Sequence, residues 1–431
     1  MTRTMKDSGV EWIGEVPEQW ILAKLKYNCS GFQNGSSQTQ LNSDISNYPV
    51  TRIETISTGK IDFDKVGYVE NINNNYLLKK NDFLISNINS ITNLGNNAIF
   101  DSDRPLYHGM NLLKITPKFV YPKFLYYYFN SGIFRTNMQI LCKPAINQAS
   151  VSASNIKNIK MPFPPLPEQQ AIADYLDDKC AQINNITATI NEQIEVLKQY
   201  KKSIITEAVT KGLDPNSPMK DSGVEWIGRI PETWEVGRIK HYFKMVNGAT
   251  PTSTISEFWD GEIIWITPAD MNDDGIIKTG KRNITNEGFQ SCGTNLVPTG
   301  SIIISTRAPI GKINIAQNPL CTNQGCKSLV SRKNNKYYYY YLISKKHILE
   351  FLGRGTTFLE LSGFDLNNFN IPVPSSSEQQ AIANYLDNKC TKIDAVIADK
   401  QAQLETLAAY KKSFIYEYVT GKKSVPGFEE A

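Results

Sequence analysis

MKDSGVEWIGEVPEQW at residues 5–20 returns as MKDSGVEWIGRIPETW at residues 219–234, identical at 13 of 16 positions. A second pair follows: EQQAIADYLDDKC at 168–180 returns as EQQAIANYLDNKC at 378–390, and the likeness continues from YKKSIITEAVT (200–210) to YKKSFIYEYVT (410–420). The offsets, 214 and 210 residues, are nearly equal, so one unit has been duplicated. Between the matched blocks the halves diverge. Segments 21–160 and 235–370 share only faint features, such as KFLYYYFNS (123–131) in register with KYYYYYLIS (336–344), and NIKNIKMP (155–162) with DLNNFNIP (365–372). Two copies have kept their frame and changed their middles.

The frame predicts two long helices. Residues 168–211 contain no Gly or Pro, open after Pro167 and stop at Gly212. The second copy opens on Ser375-Ser-Ser-Glu378, a capping-box pattern, and stops at Gly421. At ~1.5 Å per residue each spans roughly 60–65 Å. Apolar residues recur every seven positions as Leu176, Ile183, Ile190, Leu197 and Ile204, then as Leu386, Ile393, Leu407 and Phe414, with Lys400 breaking the second stripe. Ile186, Ile194, Tyr200, Val396, Leu404 and Tyr410 flank them. Such a stripe calls for a helical partner, and the other copy is the obvious one. The alternative is that each helix packs only on its own domain.

The expected fold is α+β: two α/β domains separated by two long antiparallel helices that form an intramolecular coiled coil, with a pseudo-twofold internal repeat. Its parts are an N-terminal segment (1–20), a first head (21–164), a central helix (165–212), a repeated linker (213–234), a second head (235–374), a C-terminal helix (375–423) and a tail (424–431). Alternating apolar runs at Phe83–Ser86, Ile263–Ile266 and Ser301–Ser305 are the expected strands of the heads.

Charge separates head from frame. Residues 21–167 hold 15 Lys and Arg against 8 Asp and Glu; residues 235–374 hold 15 against 11. The heads are thus +7 and +4, and the rest of a +4 chain is −7, as expected if the heads meet phosphates. Asn and Gln can read adenine and Arg guanine. The first head offers Asn87, Asn89, Asn147 and Gln148; the second offers Thr306, Arg307, Lys312, Asn323, Gln324, Lys327, Arg354 and Thr356. Each could equally cap a turn. Five consecutive tyrosines at 337–341 cannot all face one way, which favours packing over base stacking.

Catalysis finds little material. The chain has three histidines, and seven cysteines at scattered spacing, which suit free thiols better than a metal site or disulfides. No phosphate-binding Gly-x4-Gly-Lys-Ser/Thr loop and no Asn/Asp-Pro-Pro-Tyr/Phe methyltransferase motif occurs. Asp101 with Asp103, and Asp273 with Asp274, read as solvated turns. No apolar run reaches 18 residues and MTRTMKDSGV has no signal core, so a cytoplasmic protein without membrane contact is expected. A non-enzymatic scaffold that never touches DNA is the main rival reading; charge concentrated in the heads speaks against it.

WIGEVPEQW (12–20), WIGRIPETW (226–234), PLPEQQAI (165–172) and EQQAI (378–382), with the duplicated helices, resemble type I restriction-modification specificity subunits. The second head is also similar to the target-recognition domains of that family, through Asn247-Gly-Ala-Thr-Pro251, Ile264-Trp-Ile266, Thr306-Arg-Ala-Pro-Ile-Gly311 and Thr322-Asn-Gln324. Ser375-Ser-Ser377 departs from the family's Pro-Leu-Pro-like lead into the helix. The resemblance implies a non-catalytic, sequence-specific DNA-binding subunit. Each recognition domain would read one half of a bipartite, asymmetric double-stranded DNA target, and the helix pair would fix the spacer. It implies two modification (methyltransferase) subunits and restriction (translocase and nuclease) subunits as partners. S-adenosylmethionine, ATP and Mg would serve those partners, with no cofactor or metal in this chain. Trp12, Trp20, Trp226 and Trp234 are either docking points for the modification subunits or core residues of the repeated block.

Overall fold

A computed structural model describes residues 3–39, 48–145, 148–331, 335–354 and 359–428. The chain divides into two units, residues 1–190 with 401–431, and residues 191–400. Each is an antiparallel-rich sheet backed by helices, completed by segments of the two long helices.

In the first unit the sheet comprises Cys29–Asn34 (β1), Phe83–Ser86 (β2), Asn97–Ile99 (β3) and Leu112–Pro117 (β4), in the order β1-β4-β2-β3 and all antiparallel. The second unit repeats this order with Lys244–Asn247 (β5), Asp274–Ile277 (β6), Ile302–Ser305 (β7), Ile313–Ala316 (β8) and Cys326–Val330 (β9), arranged β5-β9-β7-β8-β6. β6 is an extra edge strand, parallel to β8. Ile302, Ile303 and Ile304 are fully buried, which is why this β-branched run forms a central strand. Two heads with little common sequence therefore share one frame.

Helices Pro122–Asn130 (α1) and Gly132–Ile140 (α2) cover the first sheet. Leu166–Lys211 (α3) follows, and Gly212 ends it at φ +79°. In the second unit Lys336–Ser344 (α4) and Lys346–Phe351 (α5) take the equivalent place. Ser376–Val419 (α6) follows, with Gly421 at φ +72°. The capping box forms as its sequence suggests: Glu378 N–H donates to Ser375 Oγ at 3.3 Å, and Ser375 N–H to Glu378 Oε2 at 3.2 Å. All five tyrosines of α4 are buried. Their hydroxyls find partners, Tyr337 donating to the Val209 carbonyl (2.9 Å) and Tyr341 to that of Asn370 (3.1 Å). The run is packing.

The repeated blocks join head to helix. Trp20 and Trp234 are fully buried, and their indole N–H groups donate to Glu168 Oε2 (2.9 Å) and Glu378 Oε1 (3.1 Å) in the first turns of the long helices. Gln169 and Gln379 each donate to the carbonyl of a preceding proline, Pro164 at 2.8 Å and Pro374 at 2.9 Å. Each Glu-Gln-Gln motif is a helix anchor. Trp12 is exposed at 38%, and Trp226 stacks on Phe369 at 5.5 Å. The first unit is closed by the end of α6: Phe414, Ile415, Tyr418 and Val419 share a core with Val16 and Trp20, and Lys422 Nζ donates to the Ile13 carbonyl at 2.9 Å.

Within each unit the two helix segments run in opposite directions. In the first, Tyr175 packs on Phe414 and Tyr418, and Lys411 reaches Asn184 (2.7 Å). In the second, Lys201 pairs with Asp394 (2.8 Å) and Lys400 with Gln193 (2.6 Å). The seven-residue stripe is buried at Leu176, Ile183, Ile190, Ile204, Leu386, Ile393 and Phe414, and half-buried at Leu197 and Leu407. Of the expected flank, Ile194 and Leu404 lie inward. Ile186, Tyr200, Val396 and Tyr410, three residues past a stripe position, are exposed at 50, 51, 43 and 53%. The inward companions lie four residues on: Cys180, Ile194 and Cys390 are buried, and Lys201, Ile397, Leu404 and Lys411 are half-buried. The 4–3 spacing is the ordinary one, but two cysteines and two lysines occupy it and mask the pattern.

Candidate nucleic-acid interface

In the second head the ends of β5 and β7 and the start of β9 meet at one sheet edge. Backbone bonds gather the loops there: Ala249 N–H to the Thr322 carbonyl (2.9 Å), Thr306 N–H to that of Gly325 (2.8 Å) and Leu361 N–H to that of Thr306 (2.8 Å). Arg354 and Glu360 exchange backbone bonds at 3.0 and 2.9 Å, and Arg307 pairs with the same Glu360 through its side chain at 3.2 Å. Lys327 donates to Asn247 Oδ1 (3.0 Å), while Thr250 donates to Gln324 Oε1. Burial, with the neighbouring Arg307 charge, lowers the Lys327 pKa. Arg307, Gln324 and Arg354 keep exposed side chains. The edge presents cations and amides together, tethered by half-exposed carboxylates that a phosphate could displace.

Other residues expected there are engaged by bonds within the fold. Thr306 is fully buried and its hydroxyl donates to the Gly325 carbonyl (3.3 Å). Lys312 Nζ latches the carbonyls of Pro268 (3.0 Å) and Met271 (2.7 Å), and Asn323 Oδ1 accepts from Gly325 N–H (2.9 Å) in a turn. In the first head Asn87 is buried, its amide donating to the Val151 carbonyl at 3.2 Å. The Asn89 amide is tied to Ser86 Oγ (3.0 Å) and Ser90 N–H (2.8 Å), which leaves Gln148 exposed. Asn147 and Thr356 lie outside the described residues. Asn247 and Thr250, from the Asn247-Gly-Ala-Thr-Pro251 stretch that carries part of the family resemblance, join the second site without having been expected as contact residues.

Each sheet carries the same kind of close backbone crossing at the end of its first strand. Gly35 and Gly248 end the first strand of each sheet, where a Cβ would lie 1.8 Å from the Gly109 carbonyl oxygen and 2.1 Å from that of Asn323. Beside the first crossing, His108 is fully buried with Nε2 2.9 Å from the Leu112 carbonyl. Desolvation holds its pKa down to about 4, with the Lys114 charge adding to the effect. The unfolded chain, titrating near the ordinary 6.5, therefore binds a proton that the folded state refuses. Stability is full above pH ~6.5, falls as pH drops through that window, and stands lower by roughly 3 kcal/mol below pH ~4. Urea midpoints at pH 7 and 4.5 should diverge less in His108→Gln than in the parent; equal divergence would refute this source.

Among the described residues no three His, Cys, Asp or Glu side chains converge as metal ligands, and no helix is long and apolar enough to cross a membrane. The family profile of the type I restriction modification DNA specificity domain matches residues 26–196 and again 231–406, each match taking in a head and part of the helix after it. The chain belongs to that family. The MjaX type I restriction enzyme specificity subunit of Methanocaldococcus jannaschii is 36% identical over 423 residues, covering 95% of each chain. The EcoR124I/EcoR124II specificity subunit of Escherichia coli is 27% identical over 277 residues, 59% of this chain and 61% of its own. A solved chain from work on complex assembly and conformational transition of the type I R-M system superposes with TM-score 0.73 at 18% identity, covering 95% of this chain and 99% of that one. At that identity the likeness concerns the fold, and this specificity-family fold spans the chain.

Proposed function

We propose that this chain is the DNA-reading subunit of a type I restriction-modification complex, each head reading one half of a bipartite, asymmetric target. One observation carries the reading: a duplicated frame holds two heads of the same strand order whose edge residues differ. The second edge bears Arg307, Lys327 and Arg354, whereas Leu113 of β4 takes the strand position that Lys327 holds in β9. Like frames suit like partners, and unlike edges suit unlike half-sites.

The paired helices act as an intramolecular coiled coil that sets the gap between half-sites. Two modification subunits dock on equivalent surfaces, for which the exposed Ile186 and Tyr200 of α3 and Val396 and Tyr410 of α6 are the best candidates, the two on each helix lying two heptads, about four turns, apart. Methyl transfer from S-adenosylmethionine and ATP- and Mg-dependent cleavage belong to the partner subunits. The test is selection from a randomised duplex library by the chain assembled with its modification subunit. Enrichment of two unlike short sequences at one set gap is expected; no sequence preference would overturn the proposal.

A further inference from the structure

The lysine–tyrosine pairs of α1 and α4 make the same contact twice. Lys123 and Tyr127, one helical turn apart, converge on Asp177 of α3: the ammonium lies 2.5 Å from Oδ2 and the hydroxyl donates to Oδ1 at 2.6 Å. Lys336 and Tyr340 converge on Asp387 of α6, with Lys336 again on Oδ2 and Tyr340 donating to Oδ1 at 2.9 Å. Atom for atom the arrangements match, in heads whose sequences have otherwise drifted apart.

Stability is a poor reason for keeping them. The side chains are exposed at 54 and 41% for Lys123 and Asp177, and at 50 and 35% for Lys336 and Asp387, where an ion pair contributes little. Geometry is a better one. A carboxylate gripped on both oxygens from residues one turn apart adds a directional restraint on rotation of the head about its long helix, about two turns beyond the Trp–Glu and Gln–Pro bonds that anchor the helix start. A head of this size is roughly 30 Å across, so a swing of about 10° moves its far edge by about 5 Å, more than the ~3.4 Å rise of one base pair.

We infer that Asp177 and Asp387, each with its lysine and tyrosine, are positioning residues that set the angle at which a head presents its reading edge, and thereby the number of base pairs allowed between half-sites. This rests on the DNA-reading function proposed above. The experiment uses the full chain assembled with its modification subunit, on duplexes carrying both half-sites at the selected gap and at one base pair more or less. The parent should favour its own gap by about 100-fold or more, as when one head loses its specific contacts. Asp177→Ala and Asp387→Ala should narrow that preference to about tenfold or less with unchanged half-site sequences. Asp387→Asn, which keeps an acceptor for Tyr340, should restore part of it. Tyr340→Phe removes one hydroxyl from an intact helix and should also loosen the gap, so the inference stays testable if an alanine variant fails to fold. Undiminished gap preference in Tyr340→Phe and the Asp variants, with affinity falling equally at every gap or not at all, would overturn the inference while leaving the DNA-reading function standing. A parent with no preference for bipartite DNA would overturn both.

Discussion

Inserting one heptad into each long helix, after Ile190 and after Lys400, is expected to abolish tight binding at the parental gap while leaving both half-site sequences unchanged. Seven residues add about 10.5 Å of helix, close to three base-pair steps. The insertion keeps the 4–3 spacing of Leu176, Cys180, Ile183 and their successors, so the seam stays apolar and the helices stay paired. Three added base pairs, however, also turn the duplex by roughly 100°, because a DNA turn takes about 10.5 base pairs. Length and phase cannot both be met, so affinity at the parental gap should fall at least about 100-fold and recover only in part at gaps near three base pairs longer. Selection from a randomised library reads this directly. Altered half-sites would show that the helices do more than space the heads.

Gly248→Ala should be the most damaging one-carbon change in the second head. Its new Cβ would sit 2.1 Å from the Asn323 carbonyl oxygen and 2.3 Å from that of Thr322, both backbone atoms that cannot rotate away. Relief requires the strand end at Asn247 to part from the turn at 322–325, at about 3 kcal/mol, or a melting-temperature fall of roughly 6–12 °C. The same movement separates Asn247 from Lys327 and Thr250 from Gln324, so the second half-site should lose discrimination while the first is still read. Gly293→Ala is the control: no atom lies within 4 Å of its Cβ and its φ is not left-handed. Calorimetry and library selection on the two variants check both parts, and equal behaviour would refute the crossing as the keystone of that edge.

Much of the frame was legible because it rests on local signals. Gly212, Gly421 and the Ser375–Glu378 box mark helix ends through backbone chemistry, and the β-branched Ile302–Ile304 run, flanked by Gly300 and Pro309, favours a buried strand. The second half of the helix seam was legible only at Ile194 and Leu404, because Cys180, Cys390, Lys201 and Lys411 are not the residue types that announce a buried position. The lysines tolerate it by carrying their charge across to Asp394 and Asn184. The candidate edges were harder still. Hydroxyls and amides that can address a base are the groups that close turns, so Thr306, Asn87 and Asn323 looked identical in sequence to Gln324, and only backbone neighbours separate them.

Phe414, Ile415, Tyr418 and Val419 share a core with residues near the beginning of the chain, and Lys422 ties itself to Ile13 across 409 residues of sequence. On the ribosome, then, the first head to emerge is the last to be sealed: residues 191–400 can complete their own unit while the earlier one waits for the end of α6. At roughly 5–20 residues per second that delay lasts some tens of seconds, during which Trp20 and its neighbours lack their final cover. A stop codon ahead of Phe414 would make that exposure permanent.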